Sequence, residues 1–292
     1  MRYLILLCLC GFTLILFAQN DTTIQKPSGQ VDTIRIGGMI IVKKSGSPNG
    51  SVFIHNKRPL QKNSNVSTAS LIIDLGFANW SDNTNYAQAT AEQVLINRPG
   101  NTAISANDFK LKTGKSSNVN IWFFMQRLNV VKHYLNLKYG LGIEMNNYRF
   151  SEPLSFRNSG PVPYSTSGQI INHPFVFRDS ISFSKNKLSA DYITVPMMVN
   201  FNTIPNSTKN GLSFSIGVSA GYLYSSRNKQ KSDERGKEKT KENFDIQKWK
   251  FSYIGEIGLG PVRLYGSYTP KSLFENSLNV KPYAIGVRLS NW

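Results

Sequence analysis

Residues 211–225 alternate without a break. Leu212, Phe214, Ile216, Val218, Ala220, Tyr222 and Tyr224 form one parity; Ser213, Ser215, Gly217, Ser219, Gly221, Leu223 and Ser225 form the other. A period of two predicts a β-strand with one apolar face and one small, polar face. A soluble sandwich turns its polar face to water, whereas an outer-membrane barrel turns its apolar face to lipid and its polar face to the lumen. Length separates the two. Soluble strands run about 5–6 residues and tilted membrane strands about 9–11, while this segment runs about 14.

The same pattern gives eight long strands: Ser70–Trp80, Asn118–Asn129, Tyr134–Tyr148, Asp191–Asn202, Leu212–Ser225, Lys248–Leu259, Val262–Thr269 with an extension toward Phe274, and Pro282–Trp292. Their connections alternate in length. Val130–His133, Thr203–Gly211 and Gly260-Pro261 are short, whereas the others shown by the pattern run to about 37, 42 and 22 residues. Short periplasmic turns and long outer loops are the pattern of bacterial barrels. A soluble lipocalin-like barrel would need an apolar interior, and here that parity holds Ser and Gly. The expected fold is therefore all-β, an antiparallel up-and-down transmembrane barrel over residues 69–292. Eight strands are expected, with ten as the alternative if a hairpin from the preceding segment inserts. Trp80, Tyr148, Tyr222, Tyr224, Trp249, Tyr268 and Trp292 lie near strand ends, as interfacial girdles would.

Ahead of the barrel the chain changes character. Met1-Arg2-Tyr3, apolar Leu4 to Phe17 and then Ala18-Gln19 read as a signal peptide over residues 1–19. Cys8 and Cys10 sit inside it, so the exported chain would carry no cysteine and no disulfide. Residues 20–68 read as a polar periplasmic arm without a folded domain, with one short hairpin from Val31–Ile36 and Met39–Val42 around Gly37-Gly38. Net charge is +17, which suits anionic surfaces such as lipopolysaccharide. Nucleic acid fits the charge equally well, but export argues against it.

The inward parity carries Asp74, Lys138, Glu144, Lys250, Glu256, Arg263 and Arg288. An eight-stranded interior is just wide enough to be filled by side chains, and charges buried there must pair. Glu256 and Arg263 flank one turn, and barrel closure brings Asp74 near Arg288. These four residues are the candidate lumen ion pairs, read either as a plug or as a narrow polar pore. The charged segment 227–245 offers Arg227, Lys229, Lys231, Arg235 and Lys237 as surface contacts to lipid phosphate. Loop 149–188 mixes Phe150, Phe156, Tyr164, Phe175, Phe177 and Phe183 with basic residues, and would bind a partner or fold over the mouth.

Little else suggests chemistry. His55, His133 and His173 are scattered, which argues against a metal site. A His173–Asp179 pair with Ser167 or Ser180 is a chance constellation among loop serines. Gly114-Lys115-Ser116 lacks the first glycine of a phosphate loop, since Phe109 stands there. No catalytic, cofactor or metal residue is expected.

Four blocks carry a family resemblance: Leu135-Asn-Leu-Lys-Tyr-Gly-Leu-Gly-Ile-Glu-Met-Asn-Asn-Tyr-Arg-Phe150, Asp191-Tyr-Ile-Thr-Val-Pro-Met-Met-Val-Asn-Phe201, Ser219-Ala-Gly-Tyr-Leu223 with the basic stretch after it, and Gly260-Pro-Val-Arg-Leu-Tyr265. Together they resemble PorT-like outer-membrane β-barrel proteins of Bacteroidota-type envelopes. The resemblance spans about residues 70–292 and implies a barrel without assigned chemistry, in a family whose namesake assists secretion. The aromatic end at Trp292 resembles the signal read by barrel assembly machinery, although Tyr283, Ile285, Val287 and Leu289 stand one residue out of phase with it. The expected role is a non-enzymatic structural or accessory envelope protein, with contacts to secretion or envelope proteins. A small channel and a lipid- or peptide-modifying barrel are the alternatives.

Overall fold

A computed structural model describes residues 32–36, 39–43, 52–55, 64–204, 211–259 and 262–289. Residues 1–19, read from sequence as a signal peptide, and Gly37-Gly38, Gly260-Pro261 and Trp292 lie outside the described residues. Two compact units divide the chain at Lys62. In the first, Asp32–Ile36, Met39–Lys43 and Val52–His55 form their own antiparallel sheet. The hairpin read from sequence is there, joined by a third strand that the polar composition concealed.

In the second unit, eight strands form a ring: β1 (Val66–Asp82), β2 (Ser117–Val131), β3 (Leu135–Arg149), β4 (Lys185–Asn202), β5 (Leu212–Ser232), β6 (Trp249–Leu259), β7 (Val262–Tyr268) and β8 (Val280–Leu289). Each pairs antiparallel with the next in sequence. β8 closes onto β1, with Arg288 opposite Asp74. Among the described residues the strands of the first unit pair only among themselves and the ring has eight strands, not ten. Phe274 does not extend β7; it makes an isolated bridge with Ile246 at the loop end.

Three strands outrun their apolar pattern. β4 starts at Lys185 and β5 runs on to Ser232 because these extensions alternate in Lys, Arg, Asn and Ser, which a hydrophobic period does not register. β1 begins at Val66, and its outward parity switches at Leu71, which takes φ 54°. That irregularity hides four strand residues from a count by alternation.

Outward positions are apolar and exposed, for example Leu75, Val195, Ile216, Val218, Phe251 and Ile285. An uninterrupted apolar belt around a closed sheet fits hydrocarbon, where every backbone donor and acceptor must be paired within the ring. Among the described residues no helix is long and apolar enough to cross a membrane. Tyr222, Tyr224, Trp249 and Tyr268 lie on this outer face. Trp80 and Tyr148 do not: both are buried inside, with ring centroids 4.8 Å apart. Their parity is inward, so they belong to the barrel mouth rather than to a lipid girdle.

Candidate functional site

The interior is built by the polar parity of each strand. All seven charges read as inward are buried, with Asp74 at 0% and Glu256 at 2% exposure. Arg288 grips Asp74 in a fork, Nε to Oδ1 at 2.7 Å and Nη2 to Oδ2 at 2.8 Å. Trp122 Nε1 donates to the same Oδ2 at 2.8 Å, and Asn120 Nδ2 at 3.2 Å. The indole reaches this position because β3 opposes it with Gly142, where a Cβ would stand 2.6 Å from the Trp122 ring.

Glu256 is the centre of the second half. Its Oε1 accepts from Arg263 Nη1 at 2.9 Å and its Oε2 from Arg288 Nη1 at 2.5 Å. Lys138 Nζ lies 2.8 Å from both oxygens. Asp74 and Glu256 thus share Arg288, and the two pairs read from sequence become one network. Lys250 pairs with Glu144. Lys138–Glu256 and Glu144–Lys250 both link β3 to β6, strands that are not neighbours in the ring. They cross the lumen.

Amides continue the packing toward both ends. Asn118 donates to Asn146 at 2.8 Å, Tyr265 Oη donates to Asn118 at 2.6 Å, and Asn200 donates to Ser215 Oγ at 3.0 Å. Beside Asp74, Trp122, Met198 and Glu256 lies a cavity of about 30 Å³, large enough for an ordered water.

At the loop end the lumen meets an apolar cap. Trp80, Tyr148, Tyr192 and Leu188 from the barrel pack with Phe109, Phe150, Phe156, Ile246 and Phe274 from the loops. Within loop 149–188, Leu154–Arg157 pairs with Phe175–Arg178, which runs parallel to Leu95–Ile96 from the β1–β2 connection. Phe150, Phe156, Phe175 and Phe177 are buried, so most of the loop's aromatics serve the cover over the mouth. Tyr164 is exposed and donates through Oη to Arg178 O.

The basic segment 227–245 is a hairpin. β5 continues to Ser232 and pairs with Gly236–Thr240. Two of its five candidate anion contacts are already engaged: Arg227 bonds Asp191, and Arg235 forks onto Asp179 at 2.8 and 3.1 Å. Lys229, Lys231 and Lys237 stand on the pairing rows of the hairpin. Burial raises the Asp179 carboxyl, but hydrogen bonds from Arg235, Ser155 and the Ile181 N–H outweigh it and hold the group below its ordinary range. The Asp179 bond in turn raises Arg235.

Asp179 is therefore taken by Arg235 and Ser155, while the His173 ring sits against Pro174 O, so no triad assembles. Lys115 ends a three-residue 3₁₀ turn, and the Ser116 hydroxyl accepts from the Arg149 N–H. No group of three or more potential metal ligands occurs among the described residues.

Parity identified the interior charges but neither their cross-lumen partners nor the mouth cluster. The inward asparagines 118, 120, 136, 146 and 200 carried a readable signal, since amides on a lumen parity also need partners.

No curated protein matches the chain. Among solved structures it is similar to Ail, the attachment invasion locus protein of Yersinia pestis, crystallised with the heparin analogue sucrose octasulfate. Identity is 10% and the TM-score 0.26, over 76% of this chain and 98% of that one. A family described as outer membrane protein beta-barrel domain matches residues 76–275, from the middle of β1 through the loop that precedes β8. With its closed eight-stranded ring and apolar outer belt, the chain belongs to this outer-membrane β-barrel family.

Proposed function

We propose that this barrel is sealed and serves a non-enzymatic structural or accessory role in the outer membrane. The observation that carries the reading is the five-residue network of Asp74, Arg288, Glu256, Arg263 and Lys138, which spans the lumen beneath an apolar mouth. Breaking such a network would leave buried charge uncompensated, so it does not open for solute. In this reading the signal segment directs export, barrel assembly machinery inserts the ring, and the three short connections face the periplasm. The capped mouth then faces outward, where the chain contacts lipopolysaccharide and other envelope proteins. The PorT-like resemblance supports a place beside secretion components, with the arm as the periplasmic contact.

Planar-bilayer recording of the refolded full chain tests the seal. The expected result is no steady conductance. A stable ohmic channel scaling with salt concentration would replace this reading with the small-channel one.

A further inference from the structure

The outward face at the loop end carries cations in register. Arg149, Lys187, Lys229 and Lys239 stand directly opposite one another across β3, β4, β5 and the Gly236–Thr240 strand. One step further out, Lys185, Lys231 and Lys237 form a second row. The intervening residues Asn186, Leu188, Asn228 and Ser232 are buried, which puts the seven cations on the outer side. None of the seven is in an ion pair among the described residues; the nearby Asp191 belongs to Arg227. Glu238 opposes Gln230, on the alternate parity.

Like charges directly opposite on paired strands are destabilising. Here the repulsion is repeated across four strands, a pattern that a bound polyanion would reverse. The rows rise above the lipid belt past a β-bulge, where Tyr192 pairs with Leu223 but Asp191 with Ser225, and this brings the odd positions of β5 onto the outer face. Tyr222 and Tyr224 lie on the same strand face below them, and Trp249 meets Tyr222 at 5.0 Å, as aromatics do where hydrocarbon ends. From Tyr224 to Lys229 is about 17 Å at the usual strand rise, and four strands span about 15 Å. Those are the dimensions of a lipid head with several phosphates rather than of one phosphate.

We propose that this two-row ladder docks the phosphorylated saccharide head of an outer-leaflet glycolipid of the lipopolysaccharide type. The site rests on the outward orientation proposed above, which is checked separately. Lys241→Cys, beside the ladder, should react on whole cells with a membrane-impermeant maleimide, with the unsubstituted chain as blank. Absence of labelling overturns the orientation and the ladder's lipid together.

With labelling in place, the refolded full chain is titrated with lipopolysaccharide, with the same material after dephosphorylation, and with soluble heparin. Intact lipopolysaccharide should bind, weakening as salt rises. Dephosphorylation, and Lys187→Glu combined with Lys229→Glu, should each lower affinity about tenfold or more. Lys115→Glu with Lys271→Glu makes the same change in net charge off the ladder and should leave binding within about twofold. Equal loss in both double variants, or none in either, overturns the site. Heparin binding as tight as lipopolysaccharide, with the same dependence on Lys187 and Lys229, overturns the lipid in favour of a soluble polyanion. The ligand-free ladder variant should also be no less stable than the parent, because it turns the repulsive Arg149–Lys187 and Lys229–Lys239 pairs into attractive ones and leaves only the 187–229 pair like-charged. A destabilised variant would contradict the repulsion on which the proposal stands.

Discussion

Glu256 answers to three cations, and that number decides what its removal does. Glu256→Gln leaves Lys138, Arg263 and part of Arg288 without a carboxylate in a narrow interior, and should destabilise the fold by about 3–5 kcal/mol. Adding Arg263→Met recovers only a fraction, because Lys138 and Arg288 still face the lost charge. Denaturant titration in lipid vesicles of both singles and the double measures the coupling. Full recovery in the double would mean that Glu256 and Arg263 act as an isolated pair. All seven interior charges could be read from the sequence because each lies on the polar parity of its strand. The pairs on adjacent strands, Glu256–Arg263 and Asp74–Arg288, could be read as well; the cross-lumen ones could not, because Lys138–Glu256 and Glu144–Lys250 connect β3 with β6 and strand adjacency gives no hint of them.

The strand is where periodicity speaks most clearly. Along β5, Val218 is 46% exposed on the lipid side and Ser219 is 6% exposed on the inner side. Val218→Arg should cost about 2–4 kcal/mol at mid-depth. Parity alone would spare Ser219→Arg, but Ser219 lines the small cavity with Met198, Ile254, Glu256 and Arg288. A guanidinium there overfills the space and joins four cations facing only three carboxylates, so it too should destabilise, by at least about 1–3 kcal/mol. Vesicle unfolding of both, with Val218→Leu and Ser219→Ala as silent controls, checks the assignment; a stable Ser219→Arg would argue for a hydrated lumen. The loop elements were less legible. Phe156 of loop 149–188 and Phe274 of the β7–β8 connection come from separate loops and converge only in three dimensions. Asp179 and Arg235 clasp the cover to the hairpin, and the carboxyl is held low. Its contribution is complete above the ordinary carboxylate pKa near 4 and fades as pH falls through the lowered folded value. Protection factors at the Ser155 and Ile181 amides, corrected for the intrinsic pH dependence of exchange, should therefore be unchanged from pH 7 to 5 and fall only in stronger acid. Asp179→Asn should remove the acid step; an unaltered step in that variant would assign it to another group.

For the molecule as a whole, the apolar belt and the closed ring lead to a simple fractionation. The protein should pellet with the outer membrane, resist carbonate, and migrate faster on gels before heating than after. Release by carbonate or high salt would contradict the membrane-spanning ring. The ring itself was legible as long strands with alternately short and long connections. The third strand of the N-terminal sheet and the charged extensions of β4 and β5 were not, because polar strands hide among polar loops. Ring closure also orders events in time. Asp74 lies on the first strand and its guanidinium partner on the last, 214 residues apart. Until β8 docks, the carboxylate has only the Asn120 amide and the Trp122 indole as donors among these groups. A seven-stranded intermediate leaves that carboxylate on an open sheet edge, without its guanidinium. Non-local pairing of this kind is slow. The fork between the first and last strands thus adds its stabilisation only at closure, so the last strand completes the interior network as well as the ring.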